Sequence, residues 1–452
     1  MPVPFEIEKG EQPSSPAVDD KKRSTFKKFF DDSSFNAALY VFASTSWTKR
    51  IFWVVVLLVA TGAFSYVTVT HILRLAREPI STSITLTRES ELQFPAVTIC
   101  SLSLLNTTTI RDNSGQSAVD NLQSLFSEVQ DNSNIPGCMT IASNIVSDTG
   151  LNPNWGELTY LTRNDPTVLI RKCTFVGENC INDFEPVSTV GGVCYTFNGP
   201  STQSTRAVQG TGIRHGLQVQ LSPDDQVFSL FQDFGFRVII HNRDEFPLGQ
   251  EGIAVGLNST AYIAMRQVVS VDKTRFSSGH QCRGENYDNS NQDLSIPNYS
   301  SYSPSLCLND CFYRSVADQC QCIESTRFYT PLSSSPYNQL RSCELQDLCC
   351  EVNAFDTVRE RCDCPPKCET VENTVTVSSS THQTGMVGVN VFYESLILET
   401  RETEDSYTVW SLISDTGGNT GLFLGFTLLS GVELLVLVVG LIKDCCCKKR
   451  NT

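Results

Sequence analysis

Glu433 is the side chain whose position most demands a chemical explanation, because it is a carboxylate inside an apolar run, GGNTGLFLGFTLLSGVELLVLVVGLI, from Gly417 to Ile442. A lone carboxylate at the centre of a helix in lipid costs roughly 2.5 to 3.5 kcal/mol. Glu433 therefore has to face water or protein. On a straight helix at about 100° per residue, Ser414, Gly418, Gly421 and Gly425 fall on one stripe of small residues, and Asp415 and Glu433 lie about five turns apart on another face. Small residues permit close helix approach, and an acidic face suits an aqueous cation path. The segment alone allows two readings, a pore-lining span or a single-span anchor that dimerises through its glycines.

The elements that must position these groups are bounded by composition. The chain has 452 residues, a formal charge of -15 and 19 cysteines, which argues against an ordinary cytosolic enzyme. Ile51 to His71 (IFWVVVLLVATGAFSYVTVTH) comes close to the roughly 20 apolar residues that a helix needs to traverse hydrocarbon. The polar residues ahead of it do not read as a cleaved signal peptide. Short segments rich in Lys and Arg stay in the cytosol. Lys21, Lys22, Arg23, Lys27, Lys28, Lys49 and Arg50 precede the first run, and Lys443, Lys448, Lys449 and Arg450 follow the second. The expected layout is a cytosolic segment 1–50, a span 51–71, an external region 72–416, a second span 417–442 and a cytosolic tail 443–452. That is a two-pass plasma-membrane protein with both termini inside. Phe26 to Trp47 is aromatic and partly amphipathic, as an interfacial or re-entrant element among membrane lipids would be.

Sixteen of the cysteines lie between the two runs, where an oxidising exterior favours disulfides. Zinc is the rival for Cys320-x-Cys322 and for Cys362-x-Cys364-x3-Cys368, but the external location favours disulfides over a metal module. His241, His280 and His382 show no paired spacing with other ligands. No metal site, cofactor, nucleic-acid partner or catalytic constellation is assigned. Cys445, Cys446 and Cys447 beside basic residues suit palmitoylation, or are plain reduced thiols. Three N-x-S/T sequons, at Asn106, Asn258 and Asn298, fall in the external region and are candidate glycosylation sites.

Alternation and β-branched residues predict strands over Gln93–Ser101, Gly235–His241 and Val387–Leu398. Arg111–Asn134 and Gly284–Ser305, rich in Asn, Ser, Asp and Gly, read as surface loops, with a short helix over Leu122–Val129. Cys307 to Cys368 reads as short helices and loops stapled together.

Five islands then appear in order: FPAVTIC at 94–100, GGVCYTFN at 191–198, GFRVIIHNRDEFP at 235–247, RCDCPPKC at 361–368 and GGNTGLFLGFTLLSGVEL at 417–434. In sequence and spacing the chain resembles the degenerin, epithelial sodium channel and acid-sensing ion channel family. That resemblance implies a homotrimer or heterotrimer with two transmembrane helices and a large disulfide-rich α+β extracellular domain, with palm, β-ball, finger, thumb and knuckle. It also implies an amiloride-sensitive pore that prefers sodium ions. The family's disulfide plan, carried over by matched cysteines, pairs Cys100 with Cys194, Cys173 with Cys180, Cys282 with Cys368, Cys307 with Cys364 and Cys311 with Cys362. Cys322 then pairs with Cys343, and Cys320 with Cys349 or Cys350, leaving Cys138 for the remaining member.

By the same resemblance Gly425, Phe426 and Thr427 stand at the selectivity tripeptide, where the second helix is broken. Gly421 matches the amiloride position, and Ser414 the position where a small residue lets the gate close. Asp415 and Glu433 would concentrate cations at the two ends of that pore. Phe426 is bulkier than the family's small middle residue, and Asn36-Ala37 replaces the His-Gly pair of the re-entrant loop, so moderate sodium over potassium preference is expected. Asp244 and Glu245 match an acidic pair that helps sense protons, and Glu394 and Glu399 match palm carboxylates. Close carboxylates raise each other's pKa, so protonation can trigger a gate. Protons, a peptide ligand or a constitutive leak remain as modes of activation. A trimeric ATP-gated channel would need a cluster of external Lys and Arg, whereas this exterior is acidic. A non-conducting two-pass receptor would account for neither the tripeptide nor the carboxylates.

Overall fold

The structure, a computed structural model, describes residues 46–103, 107–131, 165–189, 192–201, 205–223, 234–248, 251–274, 282, 294–295, 299, 302–323, 330–331, 336–344, 347, 350–351, 353–354, 362–432, 435–436 and 438–439. Asn36, Ala37, Asn106, Cys138, Asn298, Cys349, Glu433 and the three tail cysteines lie outside the described residues. The chain divides into two compact units, one holding the residues up to Ser81 and from Asp405, the other Thr82–Glu404.

In the first unit the apolar run forms a helix of 30 residues, Trp47–Ala76. It overruns the expected 51–71 at both ends, since no breaker intervenes before Glu78, whose φ of 46° turns the chain. At 1.5 Å per residue this apolar helix is about 45 Å long. Among the described residues it is the helix long and apolar enough to cross a membrane. Phe52, Leu58, Val59 and Tyr66 are 61 to 72% exposed and no residue of the helix is buried, so its surface calls for lipid or a partner. Thr61 and Thr70 direct their hydroxyls back to the carbonyls of Leu57 and Val67, which satisfies them without water.

A second, glycine-rich helix, Val409–Leu424, starts at a capping box in which Thr408 and Ser411 exchange hydrogen bonds. It ends at Gly425, residues 425–427 are not helical, and helix resumes at 428. The straight helix assumed for the Gly417–Ile442 run is therefore corrected. The five-turn alignment of Asp415 with Glu433 does not carry across the break.

The second unit is built on two sheets. The larger runs in the order Ile80–Arg88, Ile397–Asp405, Ser259–Asp272, Val387–Tyr393, Leu217–Leu221, Ile170–Phe175 and Glu178–Asn179, with Glu369–Thr381 also paired to Ser259–Asp272. Glu369–Thr381 runs antiparallel along the whole of that long strand, while Val387–Tyr393 and Ile397–Asp405 lie parallel to its successive halves. The single strand expected over Val387–Leu398 is thus two. The chain steps between partners, with the Glu394 N–H bonded to the Met265 carbonyl at the step.

The smaller sheet has the order Ile253–Gly256, Gly235–His241, Ala96–Ser101, Gly192–Phe197 and Phe184–Thr189. Ala96–Ser101 is its middle strand and is buried from Ala96 to Cys100, which explains a run that does not alternate. Val387–Tyr393, with only alternate residues buried, shows the one-sided pattern instead. Phe94, Phe197, Phe236, Ile263, Val389 and Tyr393 belong to one core drawn from both sheets. A second core lies under the helix Pro304–Cys320, where Phe312, Tyr313 and Val316 meet Phe246 and the Cys100–Cys194 bridge.

Helices at Thr107–Ser114 and Gln116–Asp131 replace most of the loop expected over Arg111–Asn134. Ile110, Ala118, Val119 and Leu122 are buried, so a sparse apolar stripe outweighs the polar composition around it. Gly115, at φ 80°, separates the two helices. Among the described residues seven disulfides close in this unit: Cys100–Cys194, Cys173–Cys180, Cys282–Cys368, Cys307–Cys364, Cys311–Cys362, Cys320–Cys350 and Cys322–Cys343. Of the two partners left open for Cys320, Cys350 is the one bonded. Glu351 comes within ligand distance of Cys322 and Cys343, but those two sulfurs are bonded to each other and are not free to hold a metal.

Candidate functional site

Gly425, Phe426 and Thr427 form a joint between two helical segments. Gly425 has φ 65°, a left-handed conformation that a residue without a Cβ adopts freely, and its N–H bonds the Gly421 carbonyl at 3.0 Å. No heavy atom lies within 4 Å of a Cβ built there, so conformation rather than space calls for glycine. Thr427 restarts the helix through a reciprocal cap. Its Oγ1 accepts from the Ser430 N–H at 3.3 Å, and Ser430 Oγ accepts from the Thr427 N–H at 3.4 Å. Ending one helix and capping the next frees backbone carbonyls from helical bonds, and carbonyls of that kind replace the water shell of a permeating alkali cation. The Phe426 ring lies beside Gly431, where an added Cβ would be 3.7 Å away.

The other pore candidates sit on the glycine-rich helix. Ser414, Gly418 and Gly425 are exposed, and Gly421 is half-buried. A Cβ at Gly418 would meet nothing within 4 Å, so this face is open for close approach. Asp415 is half-buried, and its Oδ2 accepts from the Tyr407 hydroxyl at 2.8 Å. Tyr407 carries no signal in the sequence, because nothing in its spacing from Asp415 marks a contact.

Among the proton-sensing candidates, Asp244 and Glu245 line a cavity of about 900 Å³ together with Glu89, Glu91, Asp272 and Glu369. Lys367 lies 3.5 Å from Asp244, and Glu245 accepts from the Asn242 N–H at 3.4 Å. Glu394 and Glu399 are not among the walls of this cavity. Glu394 is gripped at 3.0 and 3.1 Å by the Arg266 guanidinium, and Glu399 accepts from Arg401 at 2.6 Å. Hydrogen bonding and then charge from Arg266 hold the Glu394 carboxyl below its usual range. That is opposite to the upward shift expected where carboxylates face one another.

Glu251, which the motifs do not single out, is shifted the other way. Desolvation holds its carboxyl above the usual range against the pull of the Leu248 N–H, and the negative charge of Glu245 adds to the rise. His241 is a further residue whose role emerges only in the fold. It is buried in the smaller sheet, where Nε2 lies 2.8 Å from Thr98 Oγ1 and Nδ1 2.8 Å from the Asn242 carbonyl. Thr98 in turn bonds Thr196 at 2.7 Å, so one polar line crosses three strands. Burial pushes the His241 imidazole down to about 4, so it stays neutral near pH 7. Asn258 is exposed in a turn at φ 57°.

Comparison with known proteins accords with this arrangement. The family described as amiloride-sensitive sodium channel matches residues 29–437. The human bile acid-sensitive ion channel (Homo sapiens) is 24% identical, over 90% of this chain and 85% of its own. The degenerin-like protein asic-2 of Caenorhabditis elegans is 25% identical over 92% and 86%, and acid-sensing ion channel 1C of Danio rerio 23% over 95% and 86%. These relatives are ion channels and not enzymes. The match spans the apolar helix, both sheets and the joint at Gly425–Thr427, so the chain belongs to the amiloride-sensitive sodium channel family of cation channels.

Proposed function

We propose that this chain assembles as a trimer, homomeric or heteromeric, that conducts sodium across the plasma membrane with moderate preference over potassium. The chain crosses twice, by the apolar helix and by the segment beginning at the glycine-rich helix, with both termini in the cytosol and the sheets outside. The observation that carries this reading is the joint at Gly425–Thr427, a left-handed glycine followed by a threonine cap in an otherwise helical run. Gly425, Phe426 and Thr427 act as the filter, Asp415 and Glu433 attract cations above and below it, and Ser414 and Gly418 line the gate. Amiloride blocks at Gly421. Phe426 widens the chemistry of the filter relative to a small residue, which is the reason for moderate rather than strict selectivity.

External protons modulate the channel through the acidic cavity. Support comes from Glu251, whose carboxyl is held above its ordinary range by desolvation and, in smaller part, by the charge of Glu245, one of the carboxylates that line the cavity. Voltage clamp of the protein in oocytes, with pH steps, amiloride and bi-ionic reversal potentials, tests these statements together. An amiloride-blocked inward sodium current that changes with external pH is the expected result. Steady current unaffected by pH indicates a leak channel, and current only on peptide application a peptide-gated one. Surface protein that stays silent under every condition supports the receptor reading.

A further inference from the structure

The glycine-rich helix runs against the apolar helix, and a line of polar contacts joins them. Asn419 Nδ2 lies 3.3 Å from His71 Nε2, and His71 Nδ1 lies 3.1 Å from the Tyr407 hydroxyl, which bonds Asp415 Oδ2 at 2.8 Å. Because a carboxylate only accepts and an amide NH2 only donates, one assignment satisfies every group. Asn419 donates to Nε2, Nδ1–H donates to the Tyr407 oxygen, and the Tyr407 O–H donates to Asp415. The imidazole and phenol rings stack with centroids 5.9 Å apart and planes within 8°. His71 Nδ1 is also only 3.6 Å from Asp415 Oδ2, with the two side chains 22% and 42% exposed, so solution protons reach the pair.

We propose that His71 is a proton-titrated positioning residue for Asp415. Through Tyr407 it fixes the direction of the carboxylate, and on protonation it cancels that carboxylate's charge at the mouth of the pore. The inference rests on the reading of Asp415 as a pore-mouth residue. The charged groups facing the imidazole are Asp415 from the glycine-rich helix and, about one turn further along its own helix, Arg74, whose guanidinium stands 5.0 Å over the Tyr407 ring. Tyr407 is the other titratable group in contact, and Arg74 keeps its charge throughout. With the imidazole neutral, each His71–Asp415 pair carries the full negative charge of the carboxylate. With it protonated the pair is neutral, Nδ1–H still donates to the Tyr407 oxygen and the Tyr407 O–H to the carboxylate, and the Asn419 amide turns its oxygen to Nε2–H.

Unitary sodium conductance is the measurement, with external pH stepped from about 8 to about 5. In the unaltered channel conductance falls toward acid by about a factor of two for each pair neutralised, the effect of one charge about 10 Å from a permeating ion in water. The fall is larger at low ionic strength, where screening is weaker. His71→Asn and His71→Gln each flatten the profile. Tyr407→Phe, which keeps the stacked ring and removes the relay hydroxyl, lowers conductance at the alkaline end. Asp415→Asn lowers it at every pH. If Asp415→Asn lowers conductance while both His71 variants keep the original profile, the role of His71 is overturned and the pore-mouth reading stands. If Asp415→Asn leaves alkaline conductance unchanged, the pore-mouth reading itself is wrong.

Discussion

Two histidines, one in each unit, use both ring nitrogens and yet are prepared for opposite tasks. His241 is 7% exposed among strands and bonds Thr98 and the Asn242 carbonyl. His71 lies between two helices, bonds Tyr407 and Asn419, has a carboxylate 3.6 Å away and keeps contact with solvent. Equal numbers of hydrogen bonds therefore do not decide whether a histidine responds to pH. Access to water and the presence of a nearby opposite charge do. The difference extends to the units themselves. In the sheets polar groups are locked among buried strands and disulfides, whereas the helical unit has no buried residue on either long helix and holds its polar contacts at a partly open surface.

The largest expected effect tests the buried side of this contrast. Burial keeps His241 neutral down to about pH 4, while the unfolded chain takes up its proton near 6.5. Between those values the unfolded state binds more protons, so stability is full above about pH 6.5 and falls by about 3 kcal/mol as pH drops to about 4. His241→Gln should remove that slope, as read from the melting temperature of the solubilised protein against pH. A slope left intact would break the comparison.

Next in size is Ser414→Val on the open side. Ser414 is exposed in the single protomer, so in the proposed trimer added bulk would act where protomers meet. Overfilling a close contact costs about 1 to 3 kcal/mol, enough to raise the open-to-closed ratio about tenfold. Resting amiloride-sensitive current should rise accordingly, and unchanged or smaller current counts against the gate at this position. Gly425→Ala comes third, because an L residue in the left-handed region costs roughly 1 to 2 kcal/mol. The expected readout is a reversal potential that moves toward potassium, while melting of the sheet unit stays put. Glu394→Gln has the smallest effect. Arg266 already keeps that carboxyl ionised, so the pH–current curve should not move, and a clear shift would return Glu394 to the set of proton sensors.

Much of the fold was legible from short-range pattern. Val97, Ile99 and the β-branched run of Gly235–His241 mark strands by their own preferences, and the 30-residue apolar helix is announced by composition. Other elements were not legible for the same reason. A helix was expected over Leu122–Val129, but its start at Gln116 and the helix Thr107–Ser114 depend on a few buried apolar residues in a polar segment, and that burial exists only once the rest of the unit is present. The division of Val387–Leu398 into two strands follows from the need to serve two halves of one partner, which no local window contains.

At the candidate site the residue types were legible and their partners were not. Glycine at 425 and a hydroxyl at 427 suit a helix stop and a helix cap, but the residues by themselves read as one straight helix, and the break was expected only from the family resemblance. The partner of Asp415 is a different matter. His71 and Tyr407 are 336 residues apart, and Arg266 and Glu394 are 128 apart. Contacts over such separations depend on how elements dock, and docking is a property of the whole buried surface rather than of any segment. The amino-acid sequence determined the apolar helix and the cysteine-rich character of the sheet unit, because apolar length and sulfur chemistry are written residue by residue. Tertiary structure alone decided which histidine is silenced by burial and which one is left beside a carboxylate, because desolvation and charge are set by what surrounds a side chain.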